Sequence, residues 1–445
     1  MAIKKIFLVI IFCTYSIVAN ALDLEVDVLS SDYQPISLLV SDFYVDKKSE
    51  KIYNSMKKII VEDLNNSGVF DLRFSYDQIV VSNIDFRNVF SEIDLYPYNH
   101  YQYIVVGKII SLDDEKLYNV ELSILNSNGV ALRNIGYKLP YSYKKQDISQ
   151  FAHDISNEIY EAILDVKGYF SSSLLFVSGN KLIMSDYDGE NQNVLLKTKG
   201  TILSPVFSNN GKMIAYVDFF EGRSVIYIYD IMLNKNIKLA NFQGLSLAPM
   251  FSNDDKQIIF SIANAGSTHI HQVSIEEGKL SKVTSGYSIN MAGNFSLDNK
   301  YIVFNSDRAG APKIYTYNTE RKTLTKISKG VGSYYTPSFS YNSNLILFTK
   351  IYNRNFNIGL LSMSGQEKIL TSDTFAESPS WLSDGRHIIY QYAYGKSGRK
   401  NLYSFYIMDL LSGYKMLIKP SKDAQDPSLS NGVVPNKKIS AKYYF

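Results

Sequence analysis

Cysteine is nearly missing from this chain, with one among 445 residues, beside five histidines and one tryptophan. A disulfide framework needs paired cysteines, and a His/Cys metal centre or thiol nucleophile needs several such residues acting together, so these chemistries have little material here. Charge of one sign is missing too, at 46 Lys+Arg against 43 Asp+Glu. Nucleic-acid binding, which rests on a concentrated basic surface, loses its main support. Beyond Val18 no apolar run reaches the roughly 20 residues that a membrane-spanning helix needs. Aromatic residues, by contrast, are plentiful. The 35 Tyr and 24 Phe supply far more buriable surface than a disordered or collagenous chain carries. The length fits two or three domains, or one small domain with one large all-β domain, since all-β units often run to about 250 residues.

The chain opens with Lys4 and Lys5, an apolar run over residues 6–18, and Ala19-Asn20-Ala21. A charged start, a short apolar stretch and an A-x-A site make a secretory signal peptide. Residues 1–21 are therefore predicted to be cleaved after Ala21, which removes Cys13 and brings the formal net charge of +3 down by two. Phe12 stands where a lipobox needs a small residue, so Cys13 is not expected to carry lipid. The remainder reads as an exported, thiol-free chain that does not span a membrane, which in a two-membrane bacterium means the periplasm.

Residues 22–166 mix the two periodicities and are expected to form an α/β domain. Leu22, Leu24, Val26 and Val28 alternate with Asp23, Glu25 and Asp27, the period-2 pattern of a strand with one apolar face. A second apolar run covers residues 36–40. Ile52, Met56, Ile59, Ile60 and Leu64 then recur at helical spacing until Asn65-Asn66-Ser67-Gly68. Strands are predicted over 103–110, 117–125 and 130–139, the last two joined at Asn128-Gly129 by a tight turn with positive φ at both residues. A second helix is placed near Asp147, with Gln150 in capping-box register.

After Gly168 a repeat takes over. Phe207, Phe251, Phe295, Phe339 and Trp381 recur every 44 residues, 42 in the last step, and nine residues after each stands Tyr216, Phe260, Phe304, Phe348 or Tyr390. Each copy reads as four short strands, the size and content of a propeller blade, similar to WD40-like repeats. Residues 174–198 supply three strands without a first, and the missing first strand reappears as Asp426-Pro427-Ser428-Leu429-Ser430. Five whole blades and one split between the ends give a six-bladed β-propeller over 170–430, with 431–445 as a tail. Leu429 replaces the aromatic, so the split blade is expected to pack most loosely.

The candidate chemistry is thin. His269-x-His271 puts two imidazoles on one strand face, but His271 aligns with Tyr227 and Tyr315, an ordinary third-strand position. Gly395-Lys396-Ser397 lacks the leading glycine of a phosphate loop and reads as a turn. Asp186-Tyr187-Asp188-Gly189 begins like a calcium loop without its downstream ligands, and His153 reads as a structural helix residue. No catalytic residue, metal ligand or cofactor site is expected.

Three stretches carry a resemblance: residues 152–170 at the domain junction with Ala152-His153 and Lys167-Gly168-Tyr169-Phe170, Met184-Ser185-Asp186-Tyr187-Asp188-Gly189-Glu190-Asn191-Gln192, and Phe304-Asn305-Ser306-Asp307-Arg308-Ala309-Gly310. With the order of domains, they resemble the TolB family of the Tol-Pal system. The resemblance implies a periplasmic protein without catalysis. It would bind the lipoprotein Pal on its propeller and TolA through its N-terminal segment, with outer-membrane proteins as further partners, and help to hold and draw in the outer membrane during cell division. Carried onto this chain, the Pal-binding mouth is Leu245, Ser246, Met291, Ala292, Tyr335, Thr336, Glu377 and Ser378, and the TolA-binding segment is Leu22, Asp23, Leu24, Glu25, Val26, Asp27 and Val28. Leu245, Met291 and Gly293 depart from the family's usual residues toward a more apolar mouth. The rival reading is an exported propeller hydrolase or lyase acting on peptide or polysaccharide, which needs a clustered acid–base or metal site in the channel.

Overall fold

A computed structural model describes residues 32–79, 96–240, 243–372, 375–397, 400–418, 424–432 and 441–444, with 420 and 434. The predicted signal peptide, residues 1–21, and the alternating segment 22–28 lie outside the described residues.

The N-terminal sheet runs in the order Phe70–Gln78, Ile36–Asp42, Tyr103–Leu112, Leu117–Asn126, Ala131–Pro140 and Ala441–Tyr444. Ile36–Asp42 lies between two parallel neighbours, where a strand is covered on both faces. Its uninterrupted apolar run serves that position, with Leu38 and Val40 in one cluster and Leu39 in another. Helix α1 (Glu50–Asn66) buries Ile52, Met56, Ile60 and Leu64. It ends at Gly68, whose φ of +72° suits glycine and where a Cβ would sit 2.6 Å from Cβ of Tyr414. Helix α2 (Lys145–Leu164) buries Phe151, Ala152, Ile155 and Ile159.

Two local expectations change. Asp147 is not the cap but the third residue of α2, where its carboxylate accepts the Lys144 backbone N–H at 3.0 Å. The turn at Asn128-Gly129 is longer than two residues. Only Gly129 has positive φ, and the Asn126 side chain accepts the backbone N–H of both Asn128 and Val130. An asparagine that folds its own turn takes the place of the expected dipeptide.

The rest of the chain forms six four-stranded sheets. Blade one begins with Thr201–Phe207, blade two with Leu245–Phe251, blade three with Asn290–Phe295, blade four with Ser333–Phe339 and blade five with Ala376–Trp381. In blade six the first strand, Ala424–Leu429, pairs antiparallel with Ser173–Ser178 and so closes the ring. Every first strand carries a bulge, and in five of them the bulged residue precedes proline with positive φ: Ser204, Ala248, Thr336, Ser378 and Asp426. Proline disfavours the right-handed helical conformation in the residue before it. Blade three has Gly293 instead. A Cβ there would lie 2.3 Å from the Pro337 carbonyl oxygen, so the neighbouring strand's approach requires glycine.

The five aromatic anchors are 4–7% exposed, whereas Leu429 is only half-buried. Phe295→Ala is expected to cost on the order of 3–5 kcal/mol, through lost burial and an unfilled cavity. Urea denaturation monitored by circular dichroism measures it, and a loss below about 1 kcal/mol would contradict the anchor role. His271 stacks on Phe260 as Tyr227 does on Tyr216 and Tyr315 on Phe304. Gly395-Lys396-Ser397 is not a turn: it extends the strand His387–Ser397, pairing with residues 400–402.

The N-terminal domain sits on the propeller face that carries the turns between first and second strands and between third and fourth. One apolar cluster runs through both domains, joining Phe70, Tyr160 and Tyr169 to Leu382, Ile389 and Phe405.

Candidate docking mouth and the buried polar seam

Two places concentrate polar or exposed chemistry. The first is the seam under the N-terminal domain, which the sequence presents only as scattered residues. Asp63 of α1 accepts the Tyr187 hydroxyl at 2.7 Å through one carboxylate oxygen, and its other oxygen lies 2.8 Å from His153 Nδ1 of α2. Nε2 of His153 faces Asp186 at 4.0 Å and Asp188 at 3.9 Å. Burial alone would lower the imidazole's pKa, but Asp63, Asp188 and Asp186 outweigh it and hold His153 up at about 9. Burial pushes the Asp188 carboxyl up to about 6, against the pull of His153. His153, Asp186 and Asp188 lie close enough to share a metal ion. A protonated His153 would supply positive charge to the same carboxylates. A second buried group lies alongside. His387 Nδ1 is 2.5 Å from Asp384, its Nε2 is 2.7 Å from the Ser67 carbonyl oxygen, and the Tyr160 hydroxyl donates to Asp384 at 2.9 Å. Burial would raise the Asp384 pKa, but His387 holds it down. Arg386 grips Asp409 with two nitrogens, at 2.6 and 2.7 Å, and donates to the Tyr33 hydroxyl. These residues fasten the domains together.

The second place is the channel and its open mouth, on the face away from the N-terminal domain. The channel holds a cavity of about 300 Å³, lined by the later halves of the first strands of all six blades and by Asn209, Asn253, Leu297, Tyr341 and Asn431 just after them, so it lies toward the N-terminal domain rather than at the open mouth. Among the described residues that line it, Asp426 is the one acidic side chain, and there is no histidine, lysine or arginine. Burial raises the Asp426 pKa, and its carboxylate accepts the Ser204 backbone N–H at 3.1 Å.

Met291, Tyr335 and Glu377 occupy equivalent positions, opposite Asn305, Thr349 and Gln391 on their second strands. The equivalent residue in blade two is Leu247, opposite Ser261. Leu245 and Ser246 stand two residues and one residue earlier, so Leu245 lies on the outer rim, 37% exposed. Ser246 and Ala292 are buried, and their backbone N–H groups donate to Ser224 and Ser261 hydroxyls. Thr336 is exposed, while Tyr335, Glu377 and Ser378 are half-buried. Glu377 accepts from the Gln391 amide, whose oxygen accepts the Asp426 N–H, tying the mouth to the split blade. Around this inner ring stand exposed apolar residues that the repeat did not single out: Tyr287, Ile289, Val331, Tyr352 and Phe375. The signal was present, because Ile289 lies one repeat after Leu245 and Phe375 another two repeats on, but blade anchors dominate the alignment.

An α/β domain fastened to the turn face of a split-blade, six-bladed ring, with its other mouth left open by the described residues, places the chain among the two-domain propeller proteins. The TolB beta propeller domain (PD40) matches residues 160–431, and the chain belongs to that family. The Tol-Pal system protein TolB of Ruthia magnifica subsp. Calyptogena magnifica is 31% identical over 252 residues, covering 54% of this chain and 56% of that protein. TolB of Bordetella parapertussis is 28% identical over 233 residues, 50% of this chain and 48% of that protein. The chain thus matches about half the length of these curated relatives. The crystal structure of TolB from Acinetobacter baumannii shares the fold with a TM-score of 0.75 at 24% identity, covering 91% of this chain and 98% of that one.

Proposed function

We propose that this chain is a component of a Tol-Pal system that acts in the periplasm as a non-catalytic adaptor. Its open mouth receives the lipoprotein Pal, and its N-terminal segment, Leu22 to Val28, offers a strand to TolA. Through these contacts it maintains the outer membrane and its invagination during cell division. Relatives named Tol-Pal system protein TolB support the assignment. The observation that carries it is the open mouth. Exposed Tyr287, Ile289, Val331, Tyr352 and Phe375 lie along a face that the described residues of the N-terminal domain leave uncovered, and exposed apolar patches mark protein-docking surfaces. A hydrolase or lyase needs a paired acid and base, whereas Asp426 is committed to closing the ring. No helix of the described residues is long and apolar enough to cross a membrane.

The test reverses one charge of the inner ring and introduces another. Glu377→Lys with Met291→Glu is expected to weaken Pal binding at least tenfold in calorimetry, with an unchanged melting temperature. Unchanged affinity would reject this placement of the partner.

A further inference from the structure

The N-terminal sheet ends on a strand that comes from beyond the propeller. Ala441–Tyr444 runs antiparallel to the edge strand Ala131–Pro140, with Tyr443 opposite Gly136 and Lys442 opposite Tyr137. Edge strands expose unpaired backbone groups and are ready templates for another extended segment. Here the edge also has side-chain recognition built into it.

Opposite Tyr443 the edge carries no side chain. A Cβ on Gly136 would fall 2.0 Å from the Tyr443 ring, so the ring rests against bare backbone that any other residue would obstruct. The Tyr443 hydroxyl reaches the next strand inward, donating to Asn119 Oδ1 at 2.7 Å with Glu121 Oε1 at 3.3 Å. Lys442 pairs with Glu158 of α2, and its ammonium lies 4.6 Å from the centre of the Tyr444 ring. The edge therefore offers a ladder for the backbone, a notch for an aromatic ring with an acceptor at its far end, and a carboxylate for the basic residue before it.

We propose that the Ala131–Pro140 edge is a binding site for an extended peptide carrying a basic–aromatic pair, and that the chain's own Lys442-Tyr443 occupies it in cis. A partner segment of the same chemistry adds to the sheet by displacing this strap. The covalent link favours the cis occupant, because a segment on the same chain competes intramolecularly and a free peptide must exceed its effective concentration. The site lies on the N-terminal sheet and is independent of what the propeller mouth binds.

The experiment uses the full chain. Tyr443→Ala is expected to speed amide exchange of residues 135–138 relative to wild type, because the ring that holds the strap is gone. A fluorescein-labelled peptide of sequence Lys-Lys-Ile-Ser-Ala-Lys-Tyr-Tyr is then expected to bind this variant saturably, at least tenfold more tightly than wild type, and to restore the protection. Gly136→Val in the Tyr443→Ala background is expected to abolish peptide binding without changing the circular dichroism spectrum. Unchanged exchange in Tyr443→Ala would overturn the ring's role. An exposed edge that fails to bind the peptide, or equal binding by the double variant that carries Gly136→Val, would overturn the site.

Discussion

A chain stopped before Asp426 is expected to melt far below the full-length protein. The lost residues include most of the strand that completes blade six. Their removal strips the pairs Ser428↔Leu175 and Leu429↔Leu174 and uncovers Leu174, Leu175 and Phe176, all fully buried in the closed ring. At roughly 1.5–3 kcal/mol for each large apolar side chain returned to water, the loss is on the order of 5 kcal/mol, comparable with the whole stability of many domains. A chain ending at Val434 separates ring closure from the strap, since it keeps the closing strand and lacks Ala441–Tyr444. It is expected to melt within a few degrees of full length. Equal melting temperatures for the Gln425 end and the full chain, by differential scanning calorimetry, would show that the ring does not depend on its split blade.

Asp63→Ala is expected to cost on the order of 3–5 kcal/mol, the usual penalty when one partner of a buried ion pair is removed. It leaves His153 without the carboxylate at its Nδ1 and the Tyr187 hydroxyl without its acceptor. The pH dependence carries the diagnosis. His153 has a folded pKa of about 9 against an ordinary 6.5. Its contribution is therefore fully present below about pH 6.5 and lost as pH rises through about 9, an amount on the order of 3 kcal/mol. Asp188, raised from 3.8 to about 6 by burial, works in the same direction at lower pH, because ionising it weakens the folded state as pH climbs from about 4 to about 6. Asp384, whose pKa is lowered, stabilises above its ordinary value and loses that effect in acid. Melting temperatures between pH 6.5 and 9.5 should therefore fall in the wild type and change less in Asp63→Ala. Parallel curves would mean that His153 is not charged in the folded protein.

Blade number and closure were legible in the sequence because they follow from a repeat: in five blades, at steps of 44 or 42 residues, an aromatic must fill the same space. Helix faces were legible for the same reason, through period alone. The seam was not, since His153, Asp63 and Asp186 come from three unrelated parts of the chain and each looks ordinary in its own neighbourhood. Only packing brings them together. The strap was hidden because its recognition depends on a missing side chain at Gly136, more than 300 residues from Tyr443. At the mouth, Met291, Tyr335 and Glu377 align by repeat, and the same 44-residue step back from Met291 falls on Leu247, so Leu245 stands two residues off the repeat.

The split blade also has a mechanical meaning. The chain enters the propeller at Ser173 and leaves at Ser430, and these two residues are hydrogen-bonded to each other at the same end of the closing pair. Tension applied across such an end would peel the pair one bond at a time, the mode in which a strand pair resists least. Both leads, however, run back to one body: α2 lies just before Ser173, and the strap after Ser430 is stitched into the sheet beside that helix. The N-terminal domain is thus a clasp across the ring's seam, and a pull on the propeller loads the clasp before it reaches the seam.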